Sequence, residues 1–290
     1  MFDNIFAAIE KWMRELLTGM VESNMSMMFT DVNEKTSEIA AQVGRTPQNW
    51  NSSVFSMIQN LSESVVVPIA GIIITLVLCY ELISMLTERN NLHDVDTWMF
   101  FKYFVKAWVA IYLVSNTFTI TMAVFDVGQS VVNSASGIIN GETAIDVSSL
   151  SMQMQAAMAT MEIGELVVLA LETFLVSFCM KIMSVVITVI VYGRMIEIYL
   201  YTSLAPIPFA TMSNREWGHV GTNYFRGLFA LAFQAFLMMV CVAIYAALIS
   251  SVRISSNMHS ALIGVAAYTV ILCFSLMKTG SLSKQIFGSH

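Results

Sequence analysis

A cation and a carboxylate three residues apart, Arg194 and Glu197, open the stretch of this 290-residue chain that is richest in unusual residue types, RMIEIYLYTSLAPIPFATMSNREWGHVGTNYFRGLFALAFQAF. On a helix, residues at that spacing are neighbours, so the two can pair with each other or each with a group on a neighbouring segment. Two prolines follow, Pro206 and Pro208, each without a backbone donor and each unfavourable inside a helix. A polar patch ending in Trp217 and His219 comes next. Two more ionisable groups, Glu172 and Lys181, sit inside an apolar run. At about 100° per residue their nine-residue separation puts them on opposite helix faces. They are therefore expected to find separate partners across a helix or subunit boundary, since charges at membrane depth face protein or water. A proton or ion relay would need more carboxylates converging there than the sequence supplies.

Other chemistry is missing. The four histidines, His93, His219, His259 and His290, are scattered. The four cysteines, Cys79, Cys179, Cys241 and Cys273, lie in apolar segments without metal-ligand spacing and read as small buried hydrophobes. The phosphate-cradling GxxxxGK[ST], the zinc-binding HExxH and the nucleophile-elbow GxSxG patterns are absent. No catalytic, cofactor-binding or metal-ligating residue is nominated, and the chain is not read as an enzyme. Bound lipids are the small molecules expected. Arg194, Glu197, Pro206, Pro208, Trp217, Glu172 and Lys181 stand as candidates for structure and assembly.

The elements that must position these residues are set by composition. Apolar residues make up 57% and charged residues 12%, with mean hydropathy +0.70. A soluble domain carries about 25% charged residues. Half that charge cannot cover a globular surface, so part of the solvent is hydrocarbon. Net charge is −6, and the 14 basic residues form no run. Nucleic-acid binding needs clustered Lys and Arg, so sequence-specific nucleic-acid binding is excluded. The fold class expected is an all-α, polytopic helical membrane protein with about five transmembrane helices and an amphipathic N-terminal helical region.

Residues 1–60 form that N-terminal region. The start lacks the basic and apolar parts of a signal peptide and is read as retained. Phe2, Ile5, Phe6, Ile9, Trp12, Met13, Leu16, Leu17 and Met20 recur at three and four, opposite Asp3, Glu10, Lys11, Arg14 and Glu15. This predicts an amphipathic helix over 2–28 that lies in the membrane interface or packs on a neighbouring protein helix, and the shortage of Lys and Arg favours packing. A second helix is expected over 32–43, a turn or loop over 45–49, and a helix beginning near Val54 capped from the run Asn51-Ser52-Ser53. Residues 61–290 form the transmembrane domain. Its spans are expected at 65–86, 103–125, 166–191, 227–250 and 261–277, each long enough for the roughly 30 Å hydrocarbon layer or nearly so. Glu81 and Lys106 are placed at the interface, beside an aromatic belt of Trp98, Phe100, Phe101, Tyr103, Phe104 and Trp108. Small residues recur over 227–250, and Ser260 and Gly264 predict a tight helix contact at the start of the fifth span. A Met-rich helical segment, 151–161, is expected to cover apolar surface.

Basic residues orient the chain. The 126–162 loop has none and belongs outside, whereas 87–102, the elbow 192–226 and the tail carry Lys or Arg and belong in the cytoplasm. Five spans then leave the N-terminus outside and the C-terminus inside a cell-membrane protein. Within the elbow, 199–211 is expected to be a broken, re-entrant or interfacial segment, because irregular backbone at membrane depth survives only against protein or water.

The order of spans, the Arg-x-x-Glu of Arg194 and Glu197, the Leu-Ala-Pro-Ile-Pro run through Pro206 and Pro208, and Trp217 resemble the TrbL-like polytopic inner-membrane subunit of type IV secretion (conjugation) systems. Met1 to Phe6, Arg194 to Phe209, Asn214 to Trp217 and Lys278 to Lys284 are similar to the version found on conjugative elements of Gram-positive bacteria. That resemblance implies a channel or scaffold subunit supporting transfer of single-stranded DNA with its bound relaxase. It implies as partners other secretion subunits, ATPases among them, membrane lipids, and further copies of the chain in a five- or sixfold ring. The acidic balance departs from what a DNA-gripping wall would carry. An unrelated transporter or ion channel is the competing reading. It would show repeats with matching broken helices, and the flanks of Pro68/Gly71 and Pro206/Pro208 do not match.

Overall fold

The computed structural model describes residues 2–87, 97–139, 147–252 and 258–289, and among them there is no strand. The helices in chain order are α1 (Phe2–Val43), α2 (Pro47–Trp50), α3 (Ser52–Leu61), a π turn (Ser62–Val66), α4 (Val67–Thr87), α5 (Thr97–Ser115), α6 (Thr117–Ile139), α7 (Val147–Met158), α8 (Ile163–Ser203), α9 (Pro206–Thr211), α10 (Gly218–Ser250) and α11 (Met258–Phe287). Five helical stretches are long and apolar enough to cross a membrane: Ser52–Thr87, α5, α8, α10 and α11. The protein is thus an all-α, multi-pass membrane protein. Arg89, His93, Glu142, Asp146, Arg253 and His290 lie outside the described residues.

The boundaries differ from expectation in ways the side chains explain. The helices expected over 2–28 and 32–43 are one 42-residue helix, α1, because no glycine or proline separates them. The turn expected at 45–49 is mostly helical: Thr46 caps α2 and Pro47 takes its first position, where the missing donor is harmless. Asn51 caps α3 as expected, its side chain accepting from Val54 N at 3.1 Å. The span expected at 103–125 is broken at Asn116, between α5 and α6. There the Asn116 side chain donates to Tyr112 O at 2.9 Å, and the Thr117 hydroxyl lies 2.8 Å from Leu113 O and 2.9 Å from Val114 O. Side chains competing for the same carbonyls bend or interrupt helices. The loop expected over 126–162 is largely helical, since α6 continues to Ile139 and α7 follows.

Between α3 and α4 the chain widens into the π turn, with Val67 N–H bonding back to Ser62 O. Ile58, Ser62, Val66, Ala70, Ile74 and Val77 are all buried along this composite helix.

Packing divides the chain into two compact units. The first comprises Met1–Val43, Ser134–Val191 and Met238–Lys278. In it, α7 packs on α1 and buries Met154 and Met158, and Arg14 donates to Met161 O at 2.8 Å. The Tyr245 and Thr269 hydroxyls meet at 2.8 Å. Gly264 faces open space, so the tight contact expected at the start of the fifth span is not made there.

The second unit comprises Gly44–Asn133, Tyr192–Leu237 and Thr279–His290. Helices α4 and α5 pack on each other and on α9, around Ala70, Ile74, Leu78, Ala110, Val114, Ala205, Phe209 and Tyr224. A second cluster joins Val124 and Phe125 of α6 to Met195, Ile198, Leu228 and Leu231. Trp98, Phe101, Phe104 and Trp108 point outward, as an interfacial belt requires. Cys79 and Cys179 also lie on outward faces, contrary to their expected burial. Gly128 permits a close contact between α6 and α10, because a Cβ there would sit 2.8 Å from Ala232 O. Gly128→Val is expected to lower stability by about 1–3 kcal/mol through overpacking against backbone, read as a fall in apparent Tm of the detergent-solubilised protein.

Candidate functional site

The stretch from Arg194 to Trp217 is held within the second unit. Helix α8 runs to Ser203, so the break expected over 199–211 narrows to Leu204 and Ala205. Pro206 begins α9 and Pro208 lies two residues on, both among the first four positions, whose donors have no intrahelical partner in any helix. The prolines therefore end one helix and start another without orphaning a backbone donor. Pro206, Phe209 and Ala210 are buried.

Two devices lock the ends of this elbow. Tyr201 Oη donates to Tyr224 O at 3.1 Å and Tyr224 Oη donates to Tyr201 O at 2.7 Å, with the rings stacked 4.4 Å apart. This reciprocal clasp ties the end of α8 to the start of α10. Asn214 organises the turn after α9: its Oδ1 accepts from Glu216 N at 2.7 Å and Trp217 N at 3.1 Å, and its carbonyl accepts from Gly218 N at 2.9 Å. The Asn214 amide also donates to Glu81 at 3.4 Å, and Glu81 is ion-paired with Lys106. Beside them Tyr80 donates to Glu216 at 3.0 Å and its ring stacks on Trp217 at 5.6 Å. The polar patch is thereby fastened to the α4–α5 pair. Gly221 is required by this closeness, since a Cβ there would fall 2.5 Å from Pro208 O.

Arg194 is buried at 6% exposure. Its Nη2 donates to Leu231 O at 3.4 Å, its Nη1 lies 3.9 Å from Met195 Sδ, and its Nε has no partner among the described residues. Glu197 pairs with Lys284 of α11 at 2.9 Å. The two therefore bond to different partners, not to each other. In the first unit Glu172 pairs with His259 of α11. Lys181 is exposed and makes no hydrogen bond or ion pair with the described residues. Of the seven candidates, Glu197, Pro206, Pro208 and Trp217 thus sit in the fastened elbow, Arg194 is buried beside it, and Glu172 and Lys181 belong to the other unit.

Sequence reasoning left Glu81 and Lys106 as separate interfacial residues, placed Asn214 and Lys284 in motifs without giving them partners, and did not single out Tyr201 or Tyr224. The Glu81–Lys106 pair had a usable signal: the two charges lie about equally far from the polar loop between their helices, as partners across an antiparallel pair must. The tyrosine clasp had none, because its hydrogen bonds end on backbone.

Among the described residues no group of three or more His, Cys, Asp or Glu side chains is gathered. What the geometry presents is a multi-pass helical membrane subunit whose polar groups are spent on fastening helices. The chain belongs to the TrbL/VirB6 plasmid conjugal transfer like family, whose model matches residues 32–206, from α1 through Pro206. It is a conjugal transfer subunit of the type IV secretion class, and other subunits of such a system are its partners by family. No curated protein and no solved structure matches the chain.

Separate partners for Arg194 and Glu197 predict asymmetric exchange behaviour. Glu197→Lys with Lys284→Glu should keep stability within about 1 kcal/mol, because that pair is half-exposed. Arg194→Glu with Glu197→Arg should lose about 3 kcal/mol or more by burying an unmatched carboxylate, and the apparent Tm of the two purified double mutants separates the cases.

Proposed function

We propose that the chain is a channel or scaffold subunit of a conjugative type IV secretion system, supporting passage of single-stranded DNA with its bound relaxase across the cell envelope. The observation that carries this reading is the family match over 32–206, which takes in α4, α5 and the whole of α8, the longest apolar helix. The chain supplies hydrophobic surface and fixed geometry, and ATP hydrolysis falls to partner subunits. The exposed apolar side of α8, from Val167 to Leu200, covers about 50 Å at 1.5 Å per residue. A hydrocarbon layer of about 30 Å leaves part of that stripe for protein. This supports contact with other subunits or further copies in a ring, as does the lone Lys181.

The resting orientation proposed keeps the C-terminus in the cytoplasm, with the elbow shaping the cytoplasmic mouth and docking partners. Deleting the coding sequence should abolish element transfer, by more than about a thousandfold in mating assays, while relaxase nicking at the transfer origin continues. Normal transfer in the deletion strain would overturn the proposal. Native mass spectrometry from mild detergent should show a pentamer or hexamer, and a monomer there would remove the ring.

A further inference from the structure

Helix α1 is too polar to be counted among the membrane-crossing helices, yet it lies alongside one. Arg14 bonds Met161 O just before α8. Asn24 bonds the Thr173 hydroxyl, and its carbonyl accepts from Ser177. Lys35 donates to the Thr188 hydroxyl at 3.3 Å. Partner numbers rise together, with separations between 147 and 153, so α1 and α8 run parallel and in register. Arg14 and Lys35 are 21 residues apart, about 32 Å of helix, which matches the hydrocarbon thickness of about 30 Å. The stretch of α8 that α1 follows is the apolar one whose outward residues are Phe174, Phe178, Ile182 and Val185.

The inner face of α1 is buried through Leu17, Val21, Met25, Met28, Val32 and Ile39. At the level of Lys35 a cavity of about 20 Å³ is lined by Asp31, Lys35 and Thr36 of α1, Ser184 of α8, Tyr245 of α10 and Thr269 of α11. The other three helices around it are apolar enough to cross a membrane, so Asp31 to Thr36 lie at their depth. The outer face of α1 over the same length is Ser23, Ser26, Thr30, Glu34 and Ser37, all exposed. Apart from Lys181, the large outward side chains of α8 at this depth are hydrocarbons, whereas those of α1, Met27 apart, are mostly hydroxyls and a carboxylate. Hydrocarbon does not solvate such a face.

We propose that α1 is itself a membrane-crossing helix beside α8, and that its Ser23–Ser26–Thr30–Glu34–Ser37 stripe borders water within the membrane. The inference is independent of the proposed conjugation role, and a failed transfer assay would leave it standing. It divides residues 1–60, placing the start of α1 and the α1–α2 turn on opposite sides of the membrane.

The test uses the full chain in its native membrane, with Cys79, Cys179, Cys241 and Cys273 replaced by alanine and insertion level confirmed. Single cysteines at Asn4 and Gln48 are labelled with a membrane-impermeant maleimide in intact cells and in inside-out vesicles. They should react from opposite sides, and reaction from the same side would overturn the crossing. Ser23→Cys, Ser26→Cys, Thr30→Cys and Ser37→Cys are compared with Val21→Cys and Met25→Cys, which are buried, and with Val185→Cys and Val189→Cys, on the lipid face of α8. Thiolate forms in water and not in hydrocarbon, so the stripe should react at least about tenfold faster than either control set. Reactivity equal to that of Val185→Cys would overturn the water-facing stripe, whatever side Asn4 and Gln48 report.

Discussion

Backbone that leaves helical geometry within an apolar structure must find partners for its freed N–H and C=O groups, since water is not there to supply them. The elbow between α8 and α10 meets that requirement with few residues. Prolines occupy positions whose donors would be idle, Asn214 satisfies two amides with one oxygen, and paired tyrosines cover the carbonyls of Tyr201 and Tyr224. Once the backbone is satisfied, the sharp change of direction is stable. The α4–α5 pair then has a fixed object to pack against, and Glu81, Lys106 and Asn214 form one polar knot. Glu81 and Lys106 are only partly buried and are paired with each other, in line with the general cost of isolated buried ions. Arg194, with one nitrogen unpaired, is the least compensated of these groups.

How much of this was legible beforehand follows from which signals are local. Runs of Val, Ile and Leu announce spans directly, and five long apolar helices were expected and are present, although the second ends at Ser115 where a span through Phe125 was expected. The Asn51 cap was legible because its partner is three residues away. The break at Asn116 was hidden inside an unbroken apolar run, where Asn and Thr look like tolerated polar residues until their bonds to preceding carbonyls are seen. Glu197 found a partner 87 residues away in α11, and no periodicity argument reaches that far. The i,i+3 spacing of Arg194 and Glu197 suggested a pair, but burial of one and half-exposure of the other drew them to different neighbours.

Polarity also misdirects when a helix is sheltered. Hydropathy averages over the whole circumference of α1, while its environment differs by face. Its polar outer face, with Asn24 and Lys35 bonding beside the Met and Val of the inner face, lowers the average even though the helix is packed from Leu17 to Val43, while Ile5, Phe6, Ile9 and Trp12 before it are exposed rather than packed on protein as expected. Helices of this kind are found by their partners, not by their own composition.

The π turn between α3 and α4 has a geometric effect of its own. Buried residues from Ile58 to Ala70 recur every fourth position, and each such step drifts by about 40° around an ideal helix. Over three steps the buried line would wander by about 120°, off the face that α4 turns inward. One extra residue in the turn takes back about 100°. The widening acts as a phase corrector, letting one composite helix present a single side to α6 and α8 near Ile58 and to α9 near Ala70. The two halves are thus tuned by residue count as much as by residue identity, and the same residues wound as a regular α-helix through Ser62–Val66 would turn the two packing faces about 120° apart.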